Sequence, residues 1–267
     1  MTGKRPSAGF WKITIWLLPP LLVALAAITW FEFDGISRFQ RPALHLAPDA
    51  PKDEFERRVR DYLLDHPDVI MEAVSRFEAR QRTEEESAGQ KILKDRAEEI
   101  FRDPDSPVVG NPDGDVTLVE FFDYNCPYCR QMAPLMVQAE AADPKLRIVY
   151  KEFPILGPNS VFAAKAALAA HRQGRYAEFH RALMQVRSVT DDARTLAVAG
   201  QVGLDSERLK TDMRDAAIQG LIDRNVALAR ALHINGTPGF VVGDQILAGA
   251  TDLKSLQAAI QEARDKR

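Results

Sequence analysis

Apolar positions recur along this chain with two different periods. Between residues 52 and 102, Phe55, Val59, Tyr62 and Leu63 return at helical spacing until His66-Pro67 interrupts them. Pro67 can open a second helix, which then carries Val69, Ile70, Ala73, Val74 and Phe77 along one side. The stripe dissolves into charge from 78 to 90 and resumes at Ile92, Leu93, Ala97, Ile100 and Phe101. This predicts a helical arm with apolar patches at both ends and a polar middle that bends near Gly89. Further on, 106–110 reads as a short strand, Asn111-Pro112-Asp113-Gly114 as a turn, and 116–122 as an apolar strand interrupted by Glu120. A helix at 127–142, kinked by Pro134, and a strand at 146–153 follow. Helices are then predicted at 159–172, 176–186, 191–202, 206–219 and 221–232, separated by Gly174, Thr190, Gly203 and Gly220. A hairpin at 240–248 turns at Gly243-Asp244, and Asp252 caps a last helix to about 263. The order β, β, α, β, helical block, β, β, α predicts an α/β sheet with a helical insertion.

The N-terminus has a different grammar. Lys4, Arg5 and Lys12 precede residues 13–31, a run without charge that spans roughly 28 Å as a helix, close to a hydrocarbon core. Export is the expectation, with 13–31 as a transmembrane signal-anchor. Ala24-Leu25-Ala26 and Pro19-Pro20 supply the alternative of a signal peptide that is removed. Residues 32–51, with Pro42, Pro48 and Pro51, read as a linker. The expected organisation is therefore 1–12 basic, 13–31 membrane or signal segment, 32–51 linker, 52–102 charged arm, and 103–267 a domain with its insertion at about 157–234. The arm packs either on its own domain or on other copies of the chain, so 52–102 is a candidate oligomerisation region.

Composition narrows the function classes. Of 267 residues, 35 Lys and Arg face 38 Asp and Glu, a formal net charge of −3 with no basic excess to attract nucleic acid. Apolar residues at 46% and charged residues at 27% exclude global disorder and a polytopic membrane protein. Only two cysteines occur, too few for a disulfide-stapled scaffold.

Those two cysteines carry the chemistry. Phe121-Phe122-Asp123-Tyr124-Asn125-Cys126-Pro127-Tyr128-Cys129 sets Cys126 at the N-terminal end of a helix, where unpaired N–H groups and the peptide dipole favour a thiolate. Cys129 falls one turn on, within bonding reach. Structural zinc needs four ligands, and the five histidines form no second pair. An inert disulfide closing so short a loop would constrain little of the unfolded chain. Two thiolates can also hold Cu(I), so metal carriage stands as the alternative to redox exchange. Glu120 lies in a strand covered on both faces and reads either as a buried carboxylate with a raised pKa or as an exposed or Lys-paired one, with Lys151 on the next strand as partner. No nicotinamide, flavin or metal motif is present, so no cofactor is expected and electrons must be exchanged with another redox protein.

The strand ending Glu120-Phe121-Phe122, the Cys126-Pro127-Tyr128-Cys129 helix start with Pro134 beyond it, and Gly236-Thr237-Pro238 before a late strand resemble the DsbA family of thioredoxin-fold proteins. The resemblance covers about 106 to the C-terminus, and the arm resembles that of ScsC-like members, some of which trimerise and act as disulfide isomerases. It implies a thioredoxin fold with an inserted helical domain and an exported, bacterial periplasmic thiol-disulfide oxidoreductase acting on cysteine-containing proteins. It also implies a membrane redox partner; the N-terminal pattern adds anchoring in the inner membrane through 13–31 or solubility after cleavage. Cys126 would attack and Cys129 resolve. Pro238 would be the cis-proline and Thr237 would touch substrate, Tyr128 would tune Cys126, and Glu120, six residues before Cys126 where thioredoxin-fold proteins place a buried acid, would take the proton from Cys129. The arm tilts this reading toward isomerase or reductase; the alternatives are a DsbA-type dithiol oxidase and, in another class, a Cu(I)-binding protein of copper tolerance.

Overall fold

Two adjacent strands, one buried along its whole length and the other at all positions but Thr117, organise most of the molecule. The computed structural model describes residues 53–267; the expected membrane segment at 13–31 and linker at 32–51 lie outside the described residues. The chain divides into one unit ending at Met71 and another running from Glu72 to Arg267.

In the first unit, helix α1 (Glu54–Asp65) starts at an Asp53 cap whose carboxylate accepts the Glu56 N–H at 2.8 Å. It ends at His66, and Pro67 opens α2 (Pro67–Asp95). None of the α1 residues is buried. Phe55, Val59, Leu63, Leu64 and Ile70 line an open apolar groove of about 450 Å³.

The second unit is built on a five-stranded sheet: β1 (Val108–Gly110), β2 (Val116–Phe122), β3 (Leu146–Glu152), β4 (Gly239–Val242) and β5 (Gln245–Ala248), in the order β1-β3-β2-β4-β5. Only β2 and β3 are parallel, joined across α4 (Pro127–Ala142). Between β3 and β4 come α5 (Pro158–Arg172), α6 (Tyr176–Met184), α7 (Asp192–Gln201), α8 (Ser206–Asp212) and α9 (Ala216–Ala231); α10 (Leu253–Asp265) closes the chain. This is the expected thioredoxin arrangement with a helical insertion.

Alternation along the strands sorts side chains between two cores. Val119, Phe121, Val149, Phe153 and Val241 pack with Leu93 at the end of α2, Ile100 of the short helix α3 (Ala97–Phe101), and Leu228 and Ile234. Leu118, Phe122, Ile148, Tyr150 and Phe240 pack on the other face with Met132 and Met136 of α4 and with the insertion. The C-terminal patch of the arm is therefore core, whereas Phe55, Tyr62, Leu64, Met71 and Phe77 remain exposed.

Three expectations change. Around Gly89, where the arm was expected to bend, α2 is one continuous helix, and the glycine lies where the backbone approaches Ile246, whose Cδ1 would stand 3.3 Å from an added Cβ. The predicted 206–219 and 221–232 helices divide at Asp215 instead of Gly220. The Asp215 carboxylate accepts the Ala217 N–H at 2.9 Å and Arg172 donates to it at 2.8 Å, so α9 starts there and passes through Gly220. Lys151 is not the partner of Glu120. It lies opposite Phe121 in the sheet, and its fully buried Nζ donates to Glu99 O at 2.8 Å, Asp103 Oδ2 at 3.0 Å and Ser106 Oγ at 2.8 Å.

That ammonium group secures the segment after α3 to the sheet. Burial pulls the Lys151 pKa down against the attraction of Asp103; on Asp103, burial works upward but the Lys151 charge prevails and holds the carboxyl below its usual range. Replacing Asp103 with alanine strands a buried cation. We expect a loss of about 3 kcal/mol in urea unfolding, largely recovered when Lys151→Met is added; additive losses in the double variant would rule out the pairing.

Candidate active site

The strand-to-helix turn after β2 aims Cys126 at the loop before β4. The Cys126 N–H donates to Asp123 O at 3.1 Å, Cys126 caps α4 with an extended backbone, and Pro127 occupies the first turn. The Asp123 carboxylate accepts the N–H groups of Asn125 at 2.7 Å and Leu156 at 2.9 Å, holding the turn against the end of β3. Cys126 Sγ is 3.1 Å from the carbonyl oxygen of Thr237, whose bond to Pro238 is cis. Both cysteines are free thiols; Cys126 is 4% exposed and Cys129 fully buried.

The two sulfurs have opposite acidities. The Cys129 thiol donates to a Cys126 thiolate, and although burial opposes ionisation, the Thr237 side chain and the N–H groups of Cys129 and Tyr128 add to it, bringing Cys126 to about 5 from an ordinary 9.0. Only a protonated Cys126 can donate to the Thr237 carbonyl, and that single contact is outweighed. Cys129 is pushed far upward, first by burial, then by donating to Cys126 and by the charge of Glu120. Glu120 is 2% exposed between Tyr150 of β3 and Phe240 of β4. Burial, with the Cys126 charge second, raises its carboxyl to about 8. An anion at Cys126, a proton kept on Cys129 and a carboxyl titrating near neutrality form a set suited to sulfur exchange.

Of the residues singled out from sequence, Cys126, Cys129, Thr237, Pro238 and Glu120 converge here. Tyr128 contributes its N–H, while the residue is 59% exposed. Sequence reasoning passed over the fastening of the loop to the insertion. Arg130 donates from Nε to Tyr124 O at 2.8 Å and from its terminal nitrogens to Ser188 O at 2.8 Å, Thr190 Oγ1 at 2.9 Å and Asn125 Oδ1 at 3.3 Å. Asn125 Oδ1 also accepts the Thr190 N–H at 2.7 Å. It also missed a buried set beneath the loop, where Tyr124 and Tyr176 hydroxyls reach Glu152 Oε1 at 3.3 and 2.8 Å and His180 Nδ1 lies 3.2 Å from the Tyr124 hydroxyl. Asp123-x-Asn125 was a legible turn signal; Thr190, 65 residues away, was not. Among the described residues no three His, Cys, Asp or Glu side chains gather as a metal site.

Residues 117–261 match the profile of the DSBA-like thioredoxin domain. The chain belongs to the DsbA-like family. Residues 52–84 also match the N-terminal domain of the copper resistance protein ScsC. A thioredoxin-like oxidoreductase from Silicibacter pomeroyi is 48% identical, over 63% of this DsbA-like chain and 97% of that one, with a TM-score of 0.62. A linker-deletion mutant of Proteus mirabilis ScsC is 27% identical over 82% of this chain and 100% of its own, with a TM-score of 0.63. The Na(+)/H(+) antiporter NhaA 3 of Salinispora tropica is 32% identical over 164 residues, 60% of this chain, and the chain spans only about a quarter of the length of such antiporters. Among the described residues no helix is long and apolar enough to cross a membrane.

Proposed function

We propose that this DsbA-like chain is exported to the bacterial periplasm and rearranges disulfides in cysteine-containing proteins, working as an isomerase or reductase more than as an oxidase. The observation that carries the chemistry is the pairing of an acidic Cys126 at a helix start with a buried, reluctant Cys129 one turn behind it. The Cys126 thiolate attacks one sulfur of a substrate disulfide, a mixed disulfide forms, and the other substrate sulfur leaves as thiolate. In isomerisation a second substrate thiolate attacks the substrate sulfur of that bond and returns Cys126 as thiolate, with no net electron transfer. In reduction Cys129 gives its proton to Glu120 and attacks Cys126 Sγ, releasing reduced substrate and leaving an enzyme disulfide that a membrane redox partner must reduce. Thr237, beside Pro238, is proposed to pair with the substrate backbone. Export rests on the basic N-terminus and the uncharged run at 13–31, the proposed inner-membrane anchor.

The preference for isomerisation rests on the arm. Exposed Phe55, Tyr62, Leu64, Met71 and Phe77 call for a covering surface, and several copies joined there would hold one misfolded substrate between facing cysteines at high effective concentration. Since Leu93 and Ile100 belong to the domain core, the test removes residues 52–84 only. The chain from residue 52 should size as an oligomer and refold a scrambled multi-disulfide protein. The truncated chain should be monomeric, still reduce insulin, and lose most of the refolding activity. Monomers in both cases, or refolding that survives truncation, would defeat the proposal.

A second reading has one observation in its favour, the match of 52–84 to a copper resistance domain. Cys126 and Cys129 would then hold Cu(I) between two thiolates, and equilibrium dialysis of the reduced chain with and without Cys126→Ala distinguishes it.

A further inference from the structure

Beside the thiol site, α4 and α6 leave a groove of about 340 Å³ that the exchange chemistry above does not use. Its walls are Ala133, Val137 and Met184, and the buried rings of Tyr150 and His180 floor it. Two guanidinium groups, Arg130 and Arg181, border this apolar interior. Arg181 is paired with Glu140 at 2.7 Å. Arg130 is different: every hydrogen bond it makes goes to a neutral oxygen, and among the described residues no carboxylate is within ion-pair distance of it. His180 adds no charge, since burial holds it neutral down to about pH 3. The groove thus combines an aromatic and aliphatic interior with one cation that no carboxylate pairs directly, only the more distant charges of Asp123 and the Cys126 thiolate acting on it.

Position identifies the occupant. Arg130 is four residues beyond Cys126 on one helix, a rise of about 6 Å, and an extended peptide advances about 3.3 Å per residue. A polypeptide joined to Cys126 reaches the groove with a residue two or three places from its own cysteine. We propose that this groove is a specificity subsite for a substrate segment in which an apolar side chain is followed by a carboxylate, the side chain entering between Val137 and Met184 and the carboxylate meeting Arg130. The proposal deepens the thiol-disulfide reading and rests on it. It makes the helical insertion, which supplies Arg181, Met184 and the floor at His180, part of substrate selection.

The test uses glutathione mixed disulfides of three peptides, Cys-Gly-Phe-Glu, Cys-Gly-Phe-Lys and Cys-Gly-Gly-Gly, each also made in reverse order, reduced by the full exported chain with dithiothreitol as the regenerating thiol. We expect kcat/KM for the Phe-Glu peptide to exceed that for Phe-Lys by about fivefold to tenfold in one of the two orders, as an Arg–carboxylate contact gives. In 1 M salt the ratio should shrink toward two, because screening acts within about 3 Å. Val137→Glu, at an exposed position on the rim, should erase or invert the ratio, and Val137→Lys should widen it. Ratios within twofold in both orders, or a preference that Val137→Glu leaves intact, overturn the subsite while leaving the thiol chemistry standing. If none of the peptides reacts, including the glycine one, the oxidoreductase reading and the subsite fall together.

Discussion

Cys126→Ser should abolish insulin reduction and mixed-disulfide formation, a loss of about three orders of magnitude or more, because it removes the attacking atom itself. At pH 7 a thiol with pKa about 5 is almost wholly thiolate, whereas one at the ordinary 9.0 is ionised to only about one part in a hundred. Alkylation of Cys126 by iodoacetamide should therefore rise through pH 5 and be flat above about 6. Cys129→Ser should behave differently. It leaves the attack in place but removes intramolecular resolution, so covalent complexes with substrate should accumulate. The acidity also predicts a stability profile. A folded-state pKa below the unfolded value contributes stability that is complete above about 9 and is lost as pH falls through about 5. Reduced protein should show that loss, and Cys126→Ser should not. An alkylation profile centred near 9, or insulin reduction surviving in Cys126→Ser, would falsify the assignment of the nucleophile.

The second large effect is expected at Glu120. Glu120→Gln keeps the shape of the buried side chain but cannot accept a proton, so the attack of Cys129 on Cys126 should slow by about 100-fold, within the usual range for a general base. The first step, attack by Cys126 on a substrate disulfide, should change far less. Single-turnover release of reduced peptide from a preformed mixed disulfide separates the two. In the parent chain that release should accelerate as pH rises through about 8, where Glu120 ionises, and the variant should lack that inflection. Stability gives an independent sign. A carboxyl whose folded pKa is raised from 4.5 to about 8 holds its proton more tightly when folded, so its contribution declines as pH climbs from about 4.5 to about 8. Glu120→Gln should flatten that decline, and the opposite pH dependence would show that the carboxylate is paired.

How far the site could be foreseen depended on how local each contact is. Cys126 at a helix start is local: a strand, a turn with Asp123 and Asn125, and a proline in the first helical position act within a dozen residues. The two strands were equally legible, but not how they align: in the sheet Glu120 shares a face with Phe122 and Tyr150, and Lys151 lies on the other. Their pairing was the open question, and the register decided it, because in parallel strands Glu120 stands opposite Tyr150 and Lys151 opposite Phe121. The helix boundaries in the insertion were less legible because Gly220 looked like a break, whereas α8 ends at its Met213 cap and Asp215, held by Arg172 across 43 residues, is the cap that starts α9. For the arm, the apolar residues at its two ends looked alike in sequence; only folding separates Leu93 and Ile100, which enter the core, from Phe55 and Phe77, which do not.

By itself the sequence determined the elements, their order and the identity of the two sulfurs, since hydrophobic period, turn residues and helix-start chemistry operate between near neighbours. Thr237, more than a hundred residues away, was foreseen at Cys126 only through a family resemblance; tertiary structure alone decided that Lys151 serves Asp103 and that Arg130 fastens the active-site loop to the insertion while bordering a groove with Arg181. Those contacts depend on strand register and on how the insertion folds back over α4, and neither is encoded in the spacing of residues along the chain.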